Sequence, residues 1–206
     1  MDIKQSVTGM LCGSRSAKRE NRSRGKEEEQ EQTMQQEENR WDGKREPKRV
    51  LVVSDTHGRI ANLQEVWKRF DFLDLTIHLG DLEGGEQLLR KLAPCPMEIV
   101  AGNNDYFTQL PQNRVIKLGK YRIFLTHGHR YHVHYGNDVL IEEARLRDCQ
   151  IAMYGHTHSP EIRHYPGITV LNPGSITCPR PATKPPSYIL IDFDRDGEAH
   201  FTICTL

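Results

Sequence analysis

At 206 residues the chain is long enough for one domain plus an appendage. Its 28 Lys and Arg balance 28 Asp and Glu, and a net charge of zero removes the global electrostatic case for nucleic acid or an anionic membrane surface. No apolar run approaches the ~20 residues of a membrane span. Five scattered cysteines without a CxxC pair argue against a disulfide framework and for a reducing cytoplasm.

Residues 1 to 47 differ from the rest. Ser14 to Arg19 and Arg22 to Arg24 are basic and Ser-rich, and Glu27 to Gln32 and Gln35 to Glu38 are acidic and amide-rich. Such a stretch buries too little apolar surface to offset its ordering entropy, so a disordered, charged extension is expected. It reads as an extension without function, with Met34 as an alternative start, rather than as a targeting arm. Nothing near the N-terminus has the apolar core of a secretory signal.

A globular domain is expected over residues 48 to 206. Val50 to Ser54 is an apolar, β-branched strand that runs into Asp55-Thr56-His57-Gly58. Ile60 to Phe70 carries apolar residues at helical spacing. Leu75 to His78 is a second strand, closed by Leu79-Gly80-Asp81. A helix from Glu86 to about Leu92 ends before Pro94 and Pro96. Met97 to Ala101 is a third strand, leading to Gly102-Asn103-Asn104-Asp105. This β-α-β-α-β order predicts a parallel sheet with covering helices.

The second half is richer in strands. Arg114 to Leu118 and Tyr121 to Thr126 form a hairpin about Gly119-Lys120 and end at His127-Gly128-His129. Asp138 to Arg147 is helical. Ile151 to Tyr154 is a strand ending at Gly155-His156-Thr157-His158. Glu161 to Tyr165, Ile168 to Leu171, Ser187 to Phe193 and Ala199 to Cys204 are the remaining strands, and Asn172 to Ser175 is a turn signal.

Five strands therefore stop at potential ligands: Asp55 and His57; Asp81; Asn103; His127; His156 and His158. Six of the ten histidines fall in residues 127 to 134 and 156 to 158. Oxygen ligands mixed with imidazoles, and no thiolate, suit Mn²⁺, Fe²⁺, Co²⁺, Ni²⁺ or Zn²⁺. Two Asp, one Asn and four His exceed the needs of one ion and suit two.

These motifs, Asp55-x-His57, Gly80-Asp81, Gly102-Asn103-Asn104-Asp105, Thr126-His127-Gly128-His129 and Gly155-His156-Thr157-His158, resemble those of the calcineurin-like metallophosphoesterases in content and order. The resemblance covers roughly residues 50 to 200. The short length and Asn172-Pro173-Gly174-Ser175 look most like the small prokaryotic phosphodiesterases of that superfamily. The resemblance implies an α/β fold, a four-layer αββα sandwich of two mixed sheets with flanking helices. It implies Asp55, His57 and His158 on a first metal, Asn103, His127 and His156 on a second, and Asp81 bridging both. It also allows a homo-oligomer.

One position departs from the family. Many members carry His where Asn104 stands, and an amide cannot act as general acid near pH 7. His129 is the alternative proton source or phosphate contact; His132 and His134 read as loop residues. Arg59 and Arg180 are each either a phosphate contact or a solvated surface group. His78 reads as structural, and Asp105 as orienting its neighbouring loops. The expectation is a cytoplasmic phosphodiesterase with two divalent ions, Mn²⁺ first, acting on a small phosphodiester by attack of a metal-bound hydroxide. The alternative is a weakly active or inactive metal-binding scaffold resembling the retromer subunit.

Overall fold

A computed structural model describes residues 47–206. Apart from Pro47, the extension expected over residues 1 to 47 lies outside the described residues. The elements run β1 (Arg49–Val53), α1 (Ala61–Trp67), β2 (Leu75–His78), α2 (Glu86–Leu92), β3 (Met97–Ile99), β4 (Asn113–Leu118), β5 (Tyr121–Thr126), a 3₁₀ turn (His129–Tyr131), α3 (Asp138–Leu146), β6 (Ile151–Met153), β7 (Pro160–Tyr165), β8 (Ile168–Pro173), β9 (Ser187–Phe193) and β10 (Ala199–Thr205).

Two five-stranded mixed sheets result, in the orders β10-β9-β1-β2-β3 and β4-β5-β6-β8-β7. In the first, β1, β2 and β3 are parallel, with Val50 opposite Leu75 and Thr76 opposite Met97; β9 and β10 are antiparallel. In the second, β5, β6 and β8 are parallel and β4 and β7 close the edges antiparallel.

The period of two along each strand decides the layers. Val50, Val52, Ile77, Ile123, Leu125, Met153 and Leu171 fill the space between the sheets. Leu51 and Val53 point the other way, with Leu63, Val66, Trp67 and Leu89 of α1 and α2. Phe124, Ala152 and Val170 meet Leu140, Ile141 and Ala144 of α3. Both faces of the central strands are buried, which is why β1 reads as a continuous apolar run rather than an alternating one. The expected αββα sandwich is the fold observed.

Some boundaries differ for local reasons. Helix α1 stops at Trp67 because the Arg69 and Phe70 N–H groups bond three residues back, to Val66 and Trp67 at 3.0 and 3.2 Å. Phe70 still packs against the α1 side of the sheet. Strand β3 ends at Ile99 because the Ala101 N–H turns to the Pro111 carbonyl at 2.8 Å. Strand β8 runs on through Asn172 and Pro173, so the expected turn there begins at Gly174, where φ is +75°.

The ends of β1 and β2 are tied by His78, which is fully buried. Its Nδ1 accepts the Gly80 N–H at 3.2 Å, so Nε2 carries the hydrogen and donates to Thr56 Oγ1 at 3.1 Å. Thr56 Oγ1 in turn donates to the Asp81 carbonyl at 3.4 Å. Burial pushes His78 from 6.5 down to about 4. The neutral form is favoured only in the folded state, so stability is full above pH 6.5 and is lost as pH falls from there toward 4. Wild type is expected to lose about 2 kcal/mol between pH 7.5 and pH 5 from this group, and His78→Gln to show a correspondingly shallower fall, both read by urea unfolding with chelator present. Leu125→Ala, which opens a cavity between the sheets, is expected to cost about 2–5 kcal/mol in the same assay at pH 7.5.

Candidate metal centre

The strand ends named from sequence converge. Asp55 and His57 follow β1, Asp81 follows β2, Asn103 follows β3, His127 follows β5, and His156 and His158 follow β6. Asp55 and His127 are fully buried, Asp81 and His158 nearly so, and His57 is half-buried. Nine described non-glycine residues hold a positive φ, and six of them are here: Asp55, His57, Asp81, Glu83, His156 and His158. Left-handed backbone costs energy in such residues and persists only where the surroundings impose it.

Three imidazoles are oriented alike. His57 Nδ1 lies 2.7 Å from Glu83 Oε1, His127 Nδ1 2.7 Å from the Leu79 carbonyl and His158 Nδ1 2.5 Å from the Cys178 carbonyl. Those oxygens only accept, so each Nδ1 carries its hydrogen outward and each Nε2 turns a lone pair inward. There the Nε2 atoms meet more acceptors. His158 Nε2 is 3.1 Å from Asp55 Oδ1 and 3.3 Å from His57 Nε2. His127 Nε2 is 3.1 Å from Asn103 Oδ1 and 3.4 Å from Asp81 Oδ2. Asp55 Oδ1 is buried without a hydrogen-bond partner, its approach to His158 lacking hydrogen-bond geometry. Lone pairs facing lone pairs in a buried space call for a cation between them.

The ligand atoms fall into two groups, Asp55, His57 and His158, and Asp55, Asp81 and His127, each within 4.8 Å of one another. Asp55 belongs to both. Asp81 Oδ2 also lies between the groups, 3.4 Å from His127 Nε2 and 4.0 Å from His57 Nε2. Asn103 joins the second group through His127. His156 stands further back: its N–H donates to Asp55 Oδ2 at 3.2 Å, and its ring packs 5.1 Å from that of His127. The donor set of carboxylates, imidazoles and one amide fits a pair of divalent cations.

Burial opposes ionisation of Asp81, but contacts from His127 and hydrogen bonds from Asn104 hold its carboxyl well below the usual range. For His127 burial also opposes charge, and the hydrogen bond to Asp81 with the charges of Asp55 and Asp81 raises it above its ordinary value. Positive charge is thus favoured at this point even when only a proton supplies it.

Asn104 is occupied. Its backbone N–H reaches Asp81 Oδ1 at 2.8 Å and its amide reaches Oδ2 at 2.7 Å, so it holds the carboxylate. His129 lies half-buried, its ring 5.5 Å from His127 and 6.1 Å from His156, with Nδ1 buried and unpartnered. His132 is exposed. His134 is exposed too, but its ring packs 4.6 Å from His156, closer than a loop residue was expected to stand. Arg59 donates to Cys178 Sγ at 2.7 Å, and exposed Arg180 makes its bond through the backbone, to the His158 carbonyl at 3.0 Å. Asp105 accepts the Glu83 and Gly102 N–H groups at 2.6 and 2.8 Å, orienting two loops as expected.

Sequence reading missed Glu83. Its one signal was a carboxylate two residues beyond Asp81. Two glycines serve close approach: a Cβ on Gly102 would fall 2.1 Å from Asp81 Oδ1, and one on Gly155 2.0 Å from Ser54 Oγ. Glu83→Ala is expected to weaken Mn²⁺ binding about 10–100-fold by freeing the His57 ring, with little change in unfolding midpoint of the metal-free protein. Titration calorimetry of the two proteins checks this, and equal affinities would assign Glu83 no orienting role.

A family model described as the calcineurin-like phosphoesterase superfamily domain matches residues 49–196. A probable metallophosphoesterase of Mycoplasma genitalium is 31% identical over 158 residues, covering 75% of this chain and 93% of the relative. The probable metallophosphoesterase YsnB of Bacillus subtilis is 30% identical over 149 residues, covering 72% and 86%. Among solved structures, a conserved uncharacterized protein and predicted phosphoesterase of Streptococcus pneumoniae is 28% identical with a TM-score of 0.64, covering 79% of this chain and 99% of that one. Wild-type Vps29 of Entamoeba histolytica complexed with Zn²⁺ is also 28% identical, with a TM-score of 0.62 over 76% and 98%. With its five strand-end motifs gathered at one edge of an αββα sandwich, the chain belongs to the calcineurin-like phosphoesterase superfamily.

Proposed function

We propose that the protein is a phosphodiesterase working through two divalent metal ions, Mn²⁺ first among them. Asp55, His57 and His158 would hold one ion; Asn103, His127 and His156 the other; Asp81 and Asp55 would serve both. The observation that carries this is the inward set of three imidazole lone pairs facing Asp81 Oδ2 and Asp55 Oδ1, the latter buried without any hydrogen-bond partner. Two such ions would draw in a phosphate and lower the pKa of a bound water. The Zn²⁺ complex of the Entamoeba relative supports a divalent ion in this fold.

The chain's own residues do the rest. Asp81, kept ionised by His127 and Asn104, supplies fixed negative charge. Asn103 contributes a neutral oxygen, which eases approach of a phosphate anion. Asn104 positions Asp81 and is not free to protonate a leaving group. His129 is the nearest remaining donor, and burial followed by the charge of His127 holds it below its ordinary pKa. At neutral pH it is a neutral hydrogen-bond donor rather than an acid, so esters with good leaving groups are favoured. Location in the cytoplasm accords with the unpaired thiols of Cys95, Cys149, Cys178 and Cys204. Among the described residues no helix is long and apolar enough to cross a membrane.

A second reading, a metal-binding scaffold, draws on the likeness to Vps29 and on Asn104. The two are separated by hydrolysis of bis(p-nitrophenyl) phosphate and p-nitrophenyl phosphate with Mn²⁺ or chelator, in wild type and Asp81→Ala. The expected result is Mn²⁺-dependent cleavage, faster for the diester, reduced more than about 100-fold in the variant, since even the outer partners of metal ligands are worth 10–100-fold. Wild-type turnover no higher than that of Asp81→Ala, with Mn²⁺ bound, would move the assignment to the scaffold.

A further inference from the structure

An open cavity of about 510 Å³ lies beside His156, walled by His134, Tyr135, Thr157, Ser159, Glu161 and Arg163. Two of its lining residues connect it to the metal centre. Thr157 stands between His156 and His158 in the chain, and the His134 ring packs 4.6 Å from His156. The volume is that of a small-molecule site.

Its polar groups are fixed from below. Glu161 Oε1 accepts the hydroxyl of Tyr154 at 2.6 Å and the Asn137 amide at 2.7 Å, both donors from buried residues. That satisfies one oxygen and locks the carboxylate plane. Oε2 has Arg163 Nε at 3.0 Å, two residues along β7 and lining the same cavity, and retains acceptor capacity. Thr157 Oγ1 accepts the Asn172 amide at 2.9 Å, which leaves its own hydrogen free to donate. At the rim Tyr135 is 93% exposed, a flat ring with no packing role.

We propose that this cavity is the subsite for one alcohol of the diester, and that it selects an alcohol bearing adjacent hydroxyls, with Glu161 as the specificity residue. This rests on the phosphodiesterase reading. Hydroxyls donate to Glu161 Oε2 and accept from Thr157. Arg163 balances the Glu161 charge, so neither an ammonium group nor a second anion gains much there, which leaves neutral hydroxyls as the favoured ligands. A vicinal diol comes from a ribose or from glycerol, and Tyr135 is placed to stack on a base only in the first case.

The test compares p-nitrophenyl diesters of uridine 5′-phosphate, glycerol 3-phosphate and ethyl phosphate, which share one leaving group. Binding of the three corresponding monophosphates to the Mn²⁺-loaded protein is measured by calorimetry alongside. Wild type is expected to prefer both diols over ethyl by about tenfold in kcat/KM and in Kd, and Glu161→Gln to lose that preference. Tyr135→Ala lowers the uridine values alone if the natural alcohol is a nucleoside, and neither diol if it is glycerol. Arg163→Ala, altered at an exposed side chain and so expected to fold, should shift preference toward an ethanolamine ester. No diol preference in wild type, or an equal fall for all three ligands in Glu161→Gln, would overturn the proposal. Absence of turnover with the binding preference intact would sink the phosphodiesterase reading and leave the diol site standing.

Discussion

Three imidazole N–H groups that donate away from a common centre are the constraint on which the rest of this molecule depends. Glu83, Leu79 and Cys178 take those hydrogens from His57, His127 and His158. Once they do, three Nε2 lone pairs can only point at Asp55, Asp81, Asn103 and each other. A buried arrangement of that kind is unfavourable without positive charge, because unmatched lone pairs lose their water and gain nothing in return. The raised pKa of His127 and the lowered pKa of Asp81 are two expressions of the same demand.

Holding such a site open requires a stiff frame. Six of its residues sit in left-handed backbone, at a cost of about 1–3 kcal/mol each. The frame that imposes this is the packed pair of sheets. Strands β1, β2 and β6 are buried on both faces, as is the second half of β5, so the ends that deliver Asp55, Asp81, His127 and His158 cannot shift without opening the core. Between β1 and β2 the chain of bonds from Gly80 through His78 and Thr56 to Asp81 adds a second brace. It uses a neutral histidine, so acid that protonates His78 would cost the brace its Gly80 bond.

Asn104 takes on a different meaning in this frame. Seen as a replacement for a histidine it is a loss of acid. Seen in place it is a two-point holder of Asp81. The site is then better suited to gathering charge around a phosphate than to protonating a poor leaving group. Selectivity has to come from elsewhere, and the Glu161 cleft beside His156 offers groups fixed by buried donors before any ligand arrives.

Much of this was legible in the chain. Apolar runs ending at Asp55, Asp81, Asn103, His127 and His156 marked the ligand-bearing strands, because a buried strand and a polar turn have opposite compositions. The β-α-β-α-β order of the first half implied the parallel pairing of β1, β2 and β3, and the motif order pointed to the sandwich. The outward partners were not legible. A backbone carbonyl such as Leu79 or Cys178 has no residue signature, and Glu83 resembles any loop carboxylate. Nor could spacing reveal that Asp55 is shared by both ligand groups, or that His134 packs on His156. Residues such as His57 and His158, separated by 101 positions, meet only because two sheets pack face to face. Residue types determined what chemistry was available here; the packing of the sheets decided which atoms face one another, because hydrogen-bond direction and ligand distance are properties of the folded backbone alone.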